Sequence, residues 1–362
     1  MHKRFLGFFC FLFAVNGFAQ QVVSGAKDLQ YFIRQKGDSL LQAEKLPGIL
    51  VGVLDGNSRQ FFSFGFADPA NKVPFDSATI FEAGSITKTF TAYLLQTVLQ
   101  EKGISDAASI LPYLPDSVQG NKALEPVTFL SLLNHTSGLP RLPANFPLAS
   151  TAPYDNYTAA DLFAFLKQCK PAPDGKSNYS NLGAGLAGWL AQTIAGKAYK
   201  TLLHEYIFGP FAMTNAATAT GRKAQGHFGT TQPPFWNMDV LFPAGGLQCS
   251  ASDMLHYLAR MSQPGKEKKV QAAIVEKLLQ PTATVSPVMY IGRAWFGLTQ
   301  KDKPTIYWHN GGTFGFSTFA GFYKGSSRAV IVVVNQFNKN TASDGLGMAI
   351  LQQLLKQNGS SN

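Results

Sequence analysis

The sequence predicts an α/β (α+β) protein whose antiparallel sheet is built from both ends of the chain and flanked by terminal helices, with a mainly helical lobe inserted between. Three observations predict it. Two strand-like runs near the amino end are joined by the hairpin signal Asp55-Gly56-Asn57, and four more follow one another between residues 295 and 334. Between about residues 90 and 240 the apolar residues recur mainly at helical spacing. At 362 residues, 45% hydrophobic and 14% charged, the chain has ample apolar material for a large core.

Taken in order, Met1-His2-Lys3-Arg4, the apolar run Phe5 to Val15 and then Gly17-Phe18-Ala19 have the layout of a secretory leader, residues 1–19, cut after Ala19. The run is too short for a membrane span. Cys10 sits inside it without the small residues that precede a lipidation site. The expectation is an exported chain, periplasmic or secreted, with no stable span after cleavage. Residues 26–45 then read as an amphipathic helix with Leu29, Phe32, Ile33, Leu40 and Leu41 as its buried stripe. Gly48 to Leu54 and Arg59 to Phe66 are the hairpin strands.

Phe81-Glu82-Ala83-Gly84-Ser85-Ile86-Thr87-Lys88 reads as a turn entering a helix, with Ile86, Phe90, Tyr93, Leu94 and Val98 at helical spacing. The helical stretch that follows is broken by loops at 138–153 and 171–176, and another helix starts at Ser252-Asp253-Met254. Trp295 to Leu298, Thr305 to Trp308, Phe316 to Tyr323 and Ala329 to Val334 are the later strands, and Gly345 to Leu355 is the closing helix. No internal repeat is evident. Residues 20–362 are expected to form one catalytic domain, with a sheet lobe over about 20–89 and 241–362 and a helical lobe over about 90–240. A pocket belongs at the seam.

The formal net charge is +10, and removing Lys3 and Arg4 with the leader leaves it basic. The basic residues are scattered, and the one cluster, Lys266-Glu267-Lys268-Lys269, reads as a solvated loop. No nucleic-acid partner is expected. Cys169 and Cys249 remain; they either pair or stay as buried thiols.

Ser85 and Lys88 stand one helical turn apart, so their side chains share a face. A serine hydroxyl needs a base to become a nucleophile, and a lysine serves when its surroundings lower its pKa. Ser24-Gly25-Ala26-Lys27 has the same spacing but lies just behind the leader. Tyr179-Ser180-Asn181 precedes an apolar helix, Leu182 to Ile194; the tyrosine suits proton relay and the asparagine suits holding a substrate amide. The bland reading is a helix cap, and Tyr154-Asp155-Asn156 repeats the pattern in a turn-rich loop. His309-Asn310-Gly311-Gly312 follows strand residues. Its glycines let a substrate backbone approach and offer N–H groups to an oxyanion, and His309 offers a positive or hydrogen-bonding group. The bland reading there is a hairpin turn with a solvent-facing histidine, and His227-Phe228-Gly229 is a second, weaker match.

Neither a nucleophile elbow of the G-x-S-x-G type nor H-E-x-x-H, paired C-x-x-C or a P-loop is present. His135, His204 and His256 stand apart, and His135 reads as part of a helix-ending turn. No metal, nucleotide, dinucleotide or other cofactor is expected.

S-x-x-K, then Y-x-N, then H-x-G, in that order, resembles the serine β-lactamase and penicillin-binding-protein-like superfamily, in its class C-related branch. Leu133 to Pro140, Ile207 to Met213 and Pro243 to Leu247 before Ser252-Asp253 are family-like as well, so the resemblance runs from roughly residue 26 to 357. It implies a β-lactamase/transpeptidase-like fold. It further implies Ser85 as acylated nucleophile, Lys88 as its base, Tyr179 as proton relay and Asn181 as a substrate-positioning residue. The N–H groups of Ser85 and Gly312 would form the oxyanion hole, beside Gly311, and His309 would stand where β-lactamases of this class carry a lysine. Histidine there is similar to the pattern of D-alanyl-D-alanine carboxypeptidases, D-aminopeptidases and esterases of this fold. The leading expectation is therefore a serine hydrolase of D-amino-acid peptides or small esters. The alternatives are a β-lactamase and a non-hydrolytic sensor or envelope-peptide binder.

Overall fold

The structure, a computed structural model, describes residues 12–148, 154–218, 220–266 and 268–356, with side chains from Asp28 onward. Most of the expected leader, and the side chains of Ser24 and Lys27, lie outside the described residues. The first helix, α1 (Leu12–Glu44), runs into β1 (Gly48–Asp55) and β2 (Ser58–Gly65). Gly56 turns the hairpin at φ +62°, and Asp55 pairs with Ser58.

The carboxyl half supplies the rest of an eight-stranded antiparallel sheet: β5 (Ala283–Ser286), β6 (Met289–Ile291), β7 (Phe296–Gln300), β8 (Lys303–Gly312), β9 (Ser317–Tyr323) and β10 (Arg328–Val334). Strand order is β2-β1-β10-β9-β8-β7-β6-β5, so the amino-terminal hairpin docks on the last strand in the chain. The two strands β5 and β6, at one end of the sheet, are additions to the four expected. Each is only three or four residues long, too short to show alternation. Two further three-residue strands, β3 (Ile80–Glu82) and β4 (Gln248–Ser250), pair as a separate ribbon.

Alternation along β1 and β10 shows why both read as unbroken apolar runs. Ile49, Val51, Val53, Val330 and Val332 face one core, packed with Leu29 and Ile33 of α1 and with Ile350 and Leu354 of the last helix, Asn340–Lys356. Leu50, Leu54, Ala329, Ile331 and Val333 face the other core. Both faces are covered, so both sets must be apolar.

The ribbon β3–β4 leads into the helical part. A 3₁₀ turn, Gly84–Ile86, opens α2 (Thr87–Glu101), whose residues from Thr87 to Leu99 are all buried. It packs against α3 (Asn181–Ala195), capped by the Ser180 hydroxyl, which accepts from the Gly183 N–H. Gly183, Gly185 and Gly188 have the G-x-G-x-x-G spacing of a dinucleotide fingerprint, contrary to the expectation that the chain contains none. No strand precedes them, and the latter two serve packing: a β-carbon on Gly185 would come within 2.6 Å of Leu241, and one on Gly188 within 2.2 Å of Pro243. Cys169 and Cys249 are both free and buried, and burial pushes the Cys169 thiol up to about 11. Among the described residues no helix is long and apolar enough to cross a membrane.

Candidate active site

Ser85 sits in the 3₁₀ turn that opens α2, half-buried, and Lys88 follows one turn later, almost wholly buried. The turn is pinned by Thr87, whose hydroxyl donates to the Gly84 carbonyl at 2.6 Å and accepts from the Leu247 N–H at 3.1 Å. Lys88 Nζ lies 3.0 Å from Ser85 Oγ and donates to the Ala244 carbonyl at 2.6 Å. Burial, helped by the charge of Arg141, lowers the Lys88 pKa well below its ordinary value. Among the described residues no carboxylate pairs with the ammonium form, so the neutral amine is favoured.

Tyr179 closes the group. Its hydroxyl hydrogen-bonds to Ser85, and burial raises its pKa to about 12 against the opposing pull of that bond and of Arg141. Its ring is bracketed by Lys88 Nζ at 4.8 Å and the Arg141 guanidinium at 5.1 Å from the centroid. The His135 ring lies 4.5 Å away. His135 does end a helix, at φ +64°, as its sequence context suggested. It is also buried, its Nδ1 accepts from the Ser180 N–H and its carbonyl accepts from the Asn178 N–H, so it props the segment that carries Tyr179.

A cavity of about 250 Å³ opens onto this group. Ser85, Arg141, Asn181, Trp236 and Gly312 line it. Asn181 Oδ1 is buried without a protein hydrogen-bond partner. Tyr154, from the second Y-x-N match, also lines the cavity, tilted against Trp236 at 4.6 Å between centroids. A larger hollow of about 470 Å³ lies beyond Met238 but holds neither Ser85 nor Lys88, so the chemistry singles out the smaller one. Glu82 braces the wall, accepting from the Trp236 backbone N–H and from the Thr313 hydroxyl; burial raises its carboxyl pKa.

His309 is the departure. It is fully buried and absent from the cavity lining. Its Nδ1 faces the Asn310 carbonyl at 2.5 Å, and its Nε2 has no partner. Burial first, then the charge on Lys88, press its pKa to about 3, so the ring is neutral at physiological pH. Of the positive or hydrogen-bonding group expected of His309, the charge is therefore absent, and the buried ring is not the solvent-facing histidine of a hairpin turn. Gly311 also lies behind the wall; a β-carbon there would meet the Ala83 carbonyl oxygen at 2.0 Å.

The sequence reading missed Arg141, Trp236 and Glu82 as parts of this place. Arg141 directly follows the family-like segment ending at Pro140, which was the available signal. The described residues contain no group of His, Cys, Asp or Glu side chains suited to a metal ion.

A model of the Beta-lactamase family matches residues 29–355. The chain is 30% identical over 260 residues to a beta-lactamase of Pseudomonas fluorescens, covering 69% of each chain. It is 25% identical over 338 residues to a beta-lactamase of Providencia stuartii, covering 82% of this chain and 84% of that one. It is also 23% identical over 336 residues to the D-alanyl-D-alanine-carboxypeptidase/endopeptidase AmpH of Escherichia coli (strain K12), covering 88% of this chain and 87% of that one. With a family match over nearly its whole length, the chain belongs to the Beta-lactamase family and is a serine hydrolase of that family.

Proposed function

We propose that the protein cleaves amide or ester bonds, in D-amino-acid peptides or small esters, through an acyl-enzyme on Ser85. The observation that carries this reading is Lys88 Nζ at 3.0 Å from Ser85 Oγ, in surroundings that favour the neutral amine. As Oγ bonds to the substrate carbonyl carbon, its proton passes to Lys88 Nζ. The backbone N–H groups of Ser85 and Gly312 receive the developing oxyanion. The Tyr179 hydroxyl gives its proton to the departing amine or alcohol and recovers one from Lys88. Water, relieved of a proton by the same pair, then frees the acid and restores Ser85. Asn181, with its unpartnered Oδ1, positions a substrate amide. His309 and Gly311 shape the wall from behind.

Peptide or ester substrates are favoured by the neutral histidine in the third motif and by the likeness to AmpH. A second reading, β-lactam hydrolysis, is favoured by the likeness to proteins named beta-lactamase. In a third, the protein is acylated but turns over negligibly and acts as a sensor. The leader-like residues 1–19 support action outside the cytoplasm, with residues 20–362 as one catalytic unit.

The test is an intact-mass time course with excess penicillin, run beside Ser85→Ala. A lasting penicilloyl adduct on Ser85 supports the peptidase or sensor readings, and one that decays as penicillin is consumed supports the β-lactamase. Release of a D-peptide product then separates peptidase from sensor. Unchanged turnover in Ser85→Ala sinks the mechanism.

A further inference from the structure

Arg141 is the one charged side chain lining the Ser85 cavity among the described residues. It is exposed, and no carboxylate there forms an ion pair with it. Glu82 is committed to Trp236 and Thr313 and is held toward its neutral form. The Arg141 carbonyl accepts from the Asn181 N–H at 2.9 Å and the Leu182 N–H at 3.2 Å, which ties its backbone to the first turn of α3. The guanidinium is thereby stationed over Tyr179, at the helical wall of the cavity. Trp236, in the same lining, keeps a buried indole N–H without an acceptor. Across the cavity His309 is sealed and neutral, and Lys88 is spent on Ala244 and Ser85. An anionic substrate group entering here meets one permanent positive charge, and it is on the helical side.

We propose that Arg141 is a specificity-determining residue that binds a carboxylate of the substrate, so that the preferred substrates carry a free carboxylate within reach of the helical wall. A guanidinium forms paired, charge-assisted hydrogen bonds with a carboxylate, a stronger and more directional contact than neutral donors provide. The inference rests on the reading of Ser85 as the acylated nucleophile.

A matched pair of boronic acids tests it. Phenylboronic acid adds reversibly to a reactive serine oxygen, and 3-carboxyphenylboronic acid differs only by a carboxylate. Affinities for both are measured by titration calorimetry in the mature protein at about 0.15 M salt, where general attraction is screened. Wild type is expected to bind the carboxylated compound about tenfold or more tighter than the neutral one. Arg141→Gln should bring that ratio to about one, and Arg141→Lys should restore part of it. The ratio cancels any change that the variant makes to the reactivity of Ser85. Equal affinity in wild type, or an unaltered ratio in Arg141→Gln, overturns the role of Arg141 while leaving the Ser85 reading in place. If Ser85→Ala binds both compounds as wild type does, the acyl-enzyme reading fails and the Arg141 role falls with it.

Discussion

A β-carbon on Gly84 would stand 2.7 Å from the backbone nitrogen of Gly312. The turn that carries Ser85 and the strand end that carries the third motif therefore touch backbone to backbone, with no room for a side chain between. Gly84 is also at φ +54°, where only glycine is unstrained. Gly311 is tighter still, since its added β-carbon would overlap the Ala83 carbonyl and crowd Thr318 Oγ1 at 2.5 Å.

Gly311→Ala should accordingly lose activity and about 2–3 kcal/mol of stability, the range for overpacking against atoms that have little freedom to shift. Urea denaturation with a parallel rate assay checks this. A variant with a wild-type midpoint and rate would show that the two segments can part without consequence.

The pH dependence of kcat/KM should report Lys88 and Tyr179. Activity needs neutral Lys88, so the rate falls as pH drops through its lowered pKa. Tyr179 stays protonated until about pH 12, so no alkaline loss should arise from it near neutrality. Arg141 contributes to the depression of Lys88, and Arg141→Gln should therefore move the acid limb to higher pH. An acid limb that stays put or moves down would contradict that coupling.

Tyr179→Phe keeps the ring against Lys88 and Arg141 but removes the proton. A fall in kcat of about 10²–10⁴ is expected, the usual worth of a placed proton donor. Single-turnover kinetics would locate the loss in bond breaking, and a variant within a few-fold of wild type would exclude the relay.

His309 should not titrate across the physiological range. Its imidazole C–H resonance, assigned by comparison with His309→Gln, should stay flat from pH 8 to 5, because its pKa lies at about 3. A midpoint near the ordinary value of about 6.5 would mean that the ring is wetter than the fold implies.

Asp106 and Arg293 join the helical part to the loop before β7, with Arg293 Nε donating to the Asp106 carboxylate at 2.7 Å and both side chains nearly buried. Burial raises the Asp106 pKa, but hydrogen bonding and charge from Arg293, with Lys277 at 3.3 Å, outweigh it and leave the pKa lowered. Arg293→Met leaves the carboxylate with only Lys277 and the Gln96 amide as partners and should cost about 1.5–3 kcal/mol at neutral pH, the worth of a hydrogen bond to a charged group. A group with a lowered folded pKa stabilises above its unfolded value and loses that contribution as pH falls through the folded one. The cost of the substitution should therefore shrink below pH 3.8, the ordinary carboxyl value. An equal cost at both pH values would assign it to packing alone.

What could be read from the sequence was what neighbours along the chain determine. The Asp55-Gly56-Asn57 hairpin, the long strands 317–323 and 328–334, and the one-turn spacing of Ser85 and Lys88 are local geometry, and the order of three short motifs was enough to indicate the family. The tertiary structure decided the rest. β3 and β4 are three residues each and exist as strands only because distant partners pair with them. Lys88 owes its lowered pKa to enclosure and its anchoring to a carbonyl 156 positions away. His309 and Arg141 show the division most clearly. Sequence put a histidine in the third motif and an arginine after Pro140, yet burial under Phe296 and Tyr179 leaves the first neutral, and exposure at the cavity leaves the second as the only charged side chain lining it among the described residues. Residue type is written in the chain, but the charge a residue presents depends on which remote atoms exclude water from it.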